Sequence, residues 1–195
     1  MIVPPLPAAE TFVSVRRAYV DDFFERHATA LGGTVLDLGG VRERRRGRFD
    51  ISRLPLRVVA ANLSAVKRPE VVCDAAALPF HGGRFDAVIA AELFEHLLAP
   101  DAALAEIARV LRPGGTLLLT VPFLYRLHGD PEDYARYTPH WWRRALGRHG
   151  FTLDVLERQG HLWSVIMDQL HLWAADRAQR RWPRTRPGRW LLRRS

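Results

Sequence analysis

Cysteine is nearly missing from this chain: Cys73 stands alone among 195 residues. No intrachain disulfide can form, and a cysteine-based metal site would lack ligands. No metal site is expected. Also missing is any run of about 18 apolar residues, which excludes a bilayer-spanning helix from the prediction. The opening MIVPPLPAAE has no basic stretch leading into an apolar one. A secretory signal is therefore not expected, and a cytoplasmic, soluble protein is.

Acidic residues are absent from one region in particular. From Arg177 onward the chain carries eight arginines and no Asp or Glu, which equals the whole net charge of +8. Residues 1–176 are thus electrically balanced, and the basicity belongs to a tail rather than to a binding face. Nucleic acid is accordingly an unfavoured partner. Trp182, Trp190 and Leu191 lie among those arginines. Indole and guanidinium groups together suit peripheral contact with an anionic membrane surface, although a solvated tail is the simplest reading.

What is present fits a globular fold: 48% hydrophobic and 26% charged residues, at a length that suits one domain. Short apolar runs recur at 34–38 (TVLDL), 57–61 (RVVAA), 71–73, 85–90 (FDAVIA), 116–121 (TLLLTV) and 151–156. Most end in small or polar residues, as buried parallel strands do. Helical spacing separates them. Residues 10–31 place Phe12, Val15, Tyr19, Phe23 and Phe24 on a helix that packs on the domain or covers its pocket. Residues 101–111 form a helix with Asp101 as its cap and Pro113-Gly114-Gly115 as its stop. Thr138 caps another, with Pro139 in the first position, and 161–173 predicts a closing helix. Strand–helix alternation predicts an α/β fold: a Rossmann-like, doubly wound, mostly parallel sheet with helices on both faces, in one domain. The expected boundaries are a helical segment 1–33, a core 34–160, a closing helix 161–176 and the Arg/Trp tail 177–195.

In such a sheet, ligands bind beyond the carboxyl ends of the strands, near the switch in strand order. Asp37-Leu38-Gly39-Gly40 lies at the first such end. Three further segments follow in order: Cys73-Asp74-Ala75 through Phe80, Glu92 through Leu97 after the FDAVIA strand, and Glu106-Ile107-Ala108-Arg109 through Gly115. Together this series resembles the class I S-adenosylmethionine-dependent methyltransferases, the methyltransferase-domain group that includes ubiquinone- and menaquinone-biosynthesis-like enzymes. The resemblance covers roughly residues 34–121.

That resemblance implies S-adenosyl-L-methionine as cofactor and the following roles. Asp37 would hold the methionine amino group, and Gly39 and Gly40 would form the bare turn against the methionine and ribose. Asn62 falls where the family usually has an acid for the ribose hydroxyls. Asp74 would accept from the adenine amino group, with the Ala75 N–H facing the ring. Glu92 and Leu93 would lie beside the reacting methyl. One departure is Val41, which stands at the second glycine of the family's acid-x-Gly-x-Gly turn. Methyl transfer from a sulfonium is an in-line displacement, so the protein chiefly aligns the acceptor. A base is needed for a hydroxyl or weakly acidic N–H. The long polar segment 123–137 supplies His128, with Asp130 or Asp133 to orient it; Tyr137 and His96, the latter on a helix expected to begin near Glu92, are further catalytic candidates. The function expected is methyl transfer to an O or N, less readily a C, of a small-molecule, lipid-linked or saccharide acceptor. The alternative is a non-catalytic cofactor-binding or interaction module with a degenerate cofactor loop.

Overall fold

The computed structural model describes residues 14–40, 47–129 and 132–178. Val41, Asp130 and nearly all of the Arg/Trp tail lie outside the described residues. Five strands, β1 (Thr34–Leu38), β2 (Arg57–Asn62), β3 (Val71–Val72), β4 (Phe85–Ala91) and β5 (Leu111–Thr120), form one sheet in the order β3-β2-β1-β4-β5. Every pairing is parallel. The chain reverses its direction of winding between β1 and β4, so the switch point falls at the end of the strand that carries Asp37. The Rossmann-like prediction is met.

The alternation of side chains in β1 and β4 builds two cores from one sheet. Leu36, Leu38, Val88 and Ala90 face the layer made by α2 (Pro100–Val110) and α3 (Pro139–Arg148), where Leu104, Ile107 and Trp142 fill the space. Val35, Ala87 and Ile89 face the opposite layer, where α1 (Val15–His27) contributes Val20 and Phe24, one helical turn apart. Register enforces this: Leu36 pairs with Val88 and Asp37 with Ile89.

Helix α1 begins at a capping serine. Ser14 accepts a hydrogen bond from the Arg17 N–H at 3.2 Å. A second cap comes from far along the chain, because both carboxylate oxygens of Asp168 accept from the Val15 and Arg16 N–H groups at 3.1 and 3.0 Å. Asp168 belongs to α4 (Leu162–Ala178). An acid at a helix N-terminus satisfies orphan amides and complements the helix dipole, and here it fastens the last helix to the first. Arg26 and His27, at the other end of α1, both bind Glu157; Arg26 does so with two 2.8 Å hydrogen bonds.

Three expectations need correction. Residues 151–156 are not a sixth strand: Phe151 and Leu153 pack on the core in alternation, but the segment joins no sheet among the described residues. Half-buried Phe151 and Leu153 alternate with exposed neighbours, which produced the strand-like pattern. Asp101 is not the cap of α2, which starts at Pro100 with Ala99 as the N-cap residue; Asp101 instead accepts from Arg148 on α3 at 2.7 Å. Pro113-Gly114-Gly115 does not stop that helix, because α2 passes directly into β5 at Leu111 and the two glycines sit in the strand at a register shift opposite Phe85–Ala87.

Candidate functional site

A cleft of about 1200 Å³ opens at the carboxyl edge of the sheet, over the β1/β4 switch. Asp37, Gly39, Gly40, Asn62, Asp74, Ala75, Glu92, Leu93, His96 and His128 all line it. Among the described residues singled out from sequence for the site, Tyr137 and Asp133 do not line the cleft, and Asp133 reaches it through His128; Tyr137 is turned into the core. Its hydroxyl donates to the Phe94 carbonyl at 3.3 Å, its ring packs against Trp141 and Trp142, and burial pushes the phenol upward in pKa. It is a packing residue.

The half of the cleft over β1 and β2, where the resemblance implies the cofactor, is made mainly of backbone. Gly39 has φ +83°, a conformation that side-chain-bearing residues rarely adopt. A Cβ on Gly40 would fall inside the Asp37 carboxylate, so acid and turn are in close contact and need a bare residue between them. Asn62 holds this turn in place: its Nδ2 donates to Gly39 O at 2.9 Å and Gly40 O at 3.1 Å, while Oδ1 accepts from the Ser64 N–H at 2.9 Å. Two carbonyls can only accept, so the amide nitrogen must face them. A carboxylate at 62 could not do this. The departure from the family pattern is thereby accounted for: the amide clamps the glycine turn.

Asp74 sits at the end of the segment after β3, exposed to the cleft, with Oδ1 accepting from the Ala76 N–H at 2.9 Å. The loop that follows is gripped from α2. Glu106 accepts from the Leu78 N–H at 2.7 Å, and Arg109 donates to Leu78 O at 2.9 Å and Phe80 O at 2.7 Å. The spacing of Glu106 and Arg109 on one helix face, together with Leu78-Pro79-Phe80, is thus a clasp that fixes where Asp74 and Ala75 point.

The other half, expected to take the acceptor, is made of side chains drawn from distant segments. Glu92, at the end of β4, has φ +53° and pairs with Arg16 of α1. The Arg16 guanidinium also lies 4.3 Å from the centroid of the Tyr125 ring. Arg16 and Tyr125 were not identified from sequence; the only signal was a cation early in a helix expected to cover the pocket. After Glu92 comes a single 3-10 turn, Phe94–His96, rather than the α-helix the sequence suggests. That turn sends Glu95 inward and His96 toward the cleft. His128 is 4.9 Å from His96, centroid to centroid and edge to face. His128 Nδ1 lies 3.1 Å from Asp133 Oδ2, and Arg136 holds Asp133 at 2.5 and 2.8 Å. The Arg136 guanidinium keeps the Asp133 carboxyl well below the usual carboxylate range, and burial lowers the His128 imidazole. Of the two acids expected to orient His128, Asp133 faces it, and Asp130 lies outside the described residues.

Comparison with known proteins agrees with this geometry. A model of the family described as "Methyltransferase domain" matches residues 47–119. Over 72 residues the chain is 44% identical to the ubiquinone/menaquinone biosynthesis C-methyltransferase UbiE of Bordetella parapertussis and 40% identical to that of Burkholderia vietnamiensis. The matched stretch is 36% of this chain and 28% and 30% of those proteins, so the chain spans under a third of the relatives' length. Among solved structures, the YcgJ protein of Bacillus subtilis has a TM-score of 0.56 at 16% identity, over 84% of this chain and 81% of that one. Phosphoethanolamine N-methyltransferase 2 of Haemonchus contortus, in complex with S-adenosyl-L-methionine, has 0.55 at 17%, over 92% and 54%. The [4+2]-cyclase SpnF has 0.57 at 20%, over 84% and 68%. These three share the fold. Residues 47–119 are thus similar to the methyltransferase-domain family, in the stretch where the ordered segments resemble the class I S-adenosylmethionine-dependent methyltransferases.

Proposed function

We propose that the protein transfers a methyl group from S-adenosyl-L-methionine to a small acceptor bearing an O–H or N–H group. One observation carries this reading: a cleft at the strand-order switch in which a bare, Asn62-clamped Gly39-Gly40 turn lies between the carboxylates of Asp37 and Asp74. The fit to the cofactor is supported by the space a Cβ at Gly40 would fill and by donors and acceptors of the right kind along the cleft. When bound, the cofactor supplies an electrophilic methyl on a sulfonium. Asp37 would take its amino group, Asp74 and the Ala75 N–H its adenine, and the Gly39-Gly40 backbone the part between. Leu93 would exclude water near the methyl, and Glu92, held by Arg16, would fix the wall beside it.

The acceptor end rests on this chain's own residues, because the family match stops at residue 119, ahead of the 123–137 segment. The UbiE relatives are named as C-methyltransferases. Here His96, His128 and Tyr125 give the acceptor end a wall of aromatic surface with imidazole nitrogens, which suits a polar hydrogen-bearing group more than a bare carbon. Calorimetry with S-adenosylhomocysteine tests the cofactor half: micromolar binding by the wild type, lost in Asp37→Ala and weakened in Asp74→Ala, is expected. Absence of binding at millimolar ligand would favour the non-catalytic alternative. Turnover is then read as methyl transfer from labelled cofactor to candidate acceptors.

We further propose peripheral contact with an anionic membrane. Helix α4 exposes Leu162, Trp163, Met167, Leu170 and Trp173 and leads directly into the arginine run that starts at Arg177. Apolar surface next to guanidinium groups is the composition of an interfacial helix. No helix among the described residues is long and apolar enough to cross a membrane. Cosedimentation with phosphatidylserine-containing liposomes should fall when residues 177–195 are removed; equal partitioning of both forms removes the idea.

A further inference from the structure

Behind His96 and His128, which line the acceptor half, lies Glu95, whose side chain is fully buried, with neither carboxylate oxygen receiving a hydrogen bond. A buried carboxylate with no donor is costly, and native structures seldom leave one so. Two imidazole nitrogens face it: His96 Nε2 at 3.6 Å and His128 Nε2 at 3.9 Å from Oε1. These separations exceed a hydrogen bond. They are near the distance between neighbouring ligand atoms around one small ion with bonds of about 2.0–2.2 Å.

The tautomers agree. His96 Nδ1 contacts the Glu132 carbonyl, which can only accept, so Nδ1 carries the proton and Nε2 a lone pair. His128 Nδ1 faces the Asp133 carboxylate at 3.1 Å and the Arg126 carbonyl at 3.3 Å, both acceptors, so its Nε2 also carries a lone pair. Carboxylate or carbonyl support behind each ring is the arrangement found behind metal-bound histidines. The nearby cations do not oppose this, since Arg16 is paired with Glu92 and Arg136 with Asp133.

We propose that Glu95, His96 and His128 bind one divalent transition-metal ion, of the zinc or cobalt class, with its open side toward the cleft. Two nitrogens and one carboxylate oxygen, all within 4.8 Å of one another, form the donor set. Where the methyl-transfer reading holds, the remaining coordination positions take the oxygen of the acceptor, which narrows the acceptor to molecules with a metal-binding hydroxyl or carboxylate. Metal binding itself does not depend on that reading.

The experiment uses the full chain, stripped with chelator and titrated with Co²⁺ and then Zn²⁺. One Co²⁺ per chain with visible d–d absorption, displaced by Zn²⁺, is expected. Asp133→Asn should weaken Co²⁺ affinity about 10–100-fold through the lost support of His128. His96→Ala and Glu95→Gln should weaken it at least as much, with circular dichroism and Tm reporting that each variant is folded. A wild type without the d–d bands overturns the proposal, as does binding that is unchanged in folded His96→Ala, which would assign the ion to other histidines. S-adenosylhomocysteine affinity is measured beside it: retained cofactor binding without metal refutes only this inference, and metal binding without cofactor refutes only the methyl-transfer reading.

Discussion

The two halves of the cleft are built by different means. At the cofactor end, Asp37, Gly39, Gly40, Asn62 and Asp74 come from strand ends that are neighbours in the sheet, and much of the surface is peptide backbone. At the acceptor end, Arg16 comes from α1, Glu92 and Glu95 from the β4 exit, and Tyr125 and His128 from a segment after β5. The first half is fixed by register and by a turn, and tolerates little change in shape. The second is fixed by charged side chains meeting over long sequence separations, and its chemistry can change by single substitutions. The fold neighbours make the same point: an N-methyltransferase and a [4+2]-cyclase share this architecture.

If that contrast is right, the largest effects should follow steric changes at the backbone end. Gly40→Val places branched carbon where the Asp37 carboxylate lies. S-adenosylhomocysteine affinity should fall by roughly 100-fold or more, about 3 kcal/mol, as measured by calorimetry, with Tm checking the fold. An affinity within a few-fold of wild type would mean that the turn is not the cofactor's seat. Next in size is Asn62→Asp, which restores the acid usual in the family. It nonetheless removes the donor to the Gly39 and Gly40 carbonyls and turns a carboxylate toward them. A loss of about 1–3 kcal/mol of stability is expected by denaturant titration, with weaker, not tighter, cofactor binding. Tighter binding would show that the ribose contact outweighs the clamp.

The same contrast explains what was legible in the sequence. The parallel sheet and the cofactor end follow from short apolar runs and from glycines beside an acid, which are local signals, whereas the strand order needed the structure. The Asp74 loop was found as a motif, but its reason, the Glu106–Arg109 clasp, needed the α2 contact. The acceptor end was legible only in part. His128 stood out in a polar segment, whereas its approach to His96 and Glu95 depends on a 3-10 turn replacing the helix expected to begin near Glu92. Helix α4 misled for a related reason. Its apolar residues at helical spacing suggested a face closing the sheet, yet the residue it buries is Asp168, which caps α1, while Leu162, Met167 and Leu170 stay exposed.

A smaller effect should separate the two halves directly. Arg16 touches Glu92 and Tyr125, both on the acceptor side. Arg16→Met keeps the aliphatic stem and removes the charge, leaving Glu92 without its ion-pair partner. We expect kcat/KM to fall about tenfold, near 1.4 kcal/mol, while S-adenosylhomocysteine affinity changes by less than about threefold. Comparable losses in both would join the halves through α1.

The smallest predicted effect lies behind the cleft, where Glu157 binds Arg26 and His27 of α1. The hydrogen bonds from Arg26, then from His27, lower the Glu157 carboxyl from 4.5 to about 2. A lowered carboxyl stabilises the folded state fully above its unfolded value and loses that contribution as pH falls toward its folded value. Glu157→Gln should therefore lower Tm at neutral pH by an amount matching about 1 kcal/mol, the scale of a well-formed surface pair. The difference from wild type should shrink between pH 4.5 and about 2. A Tm difference that stays constant across that interval would mean that shape, not charge, holds this end of α1. A fall in cofactor affinity in the same variant would be more informative still. Glu157 is not among the residues that line the cleft, so such a fall could only travel through α1, and the side-chain network would then reach the half of the site assigned to backbone.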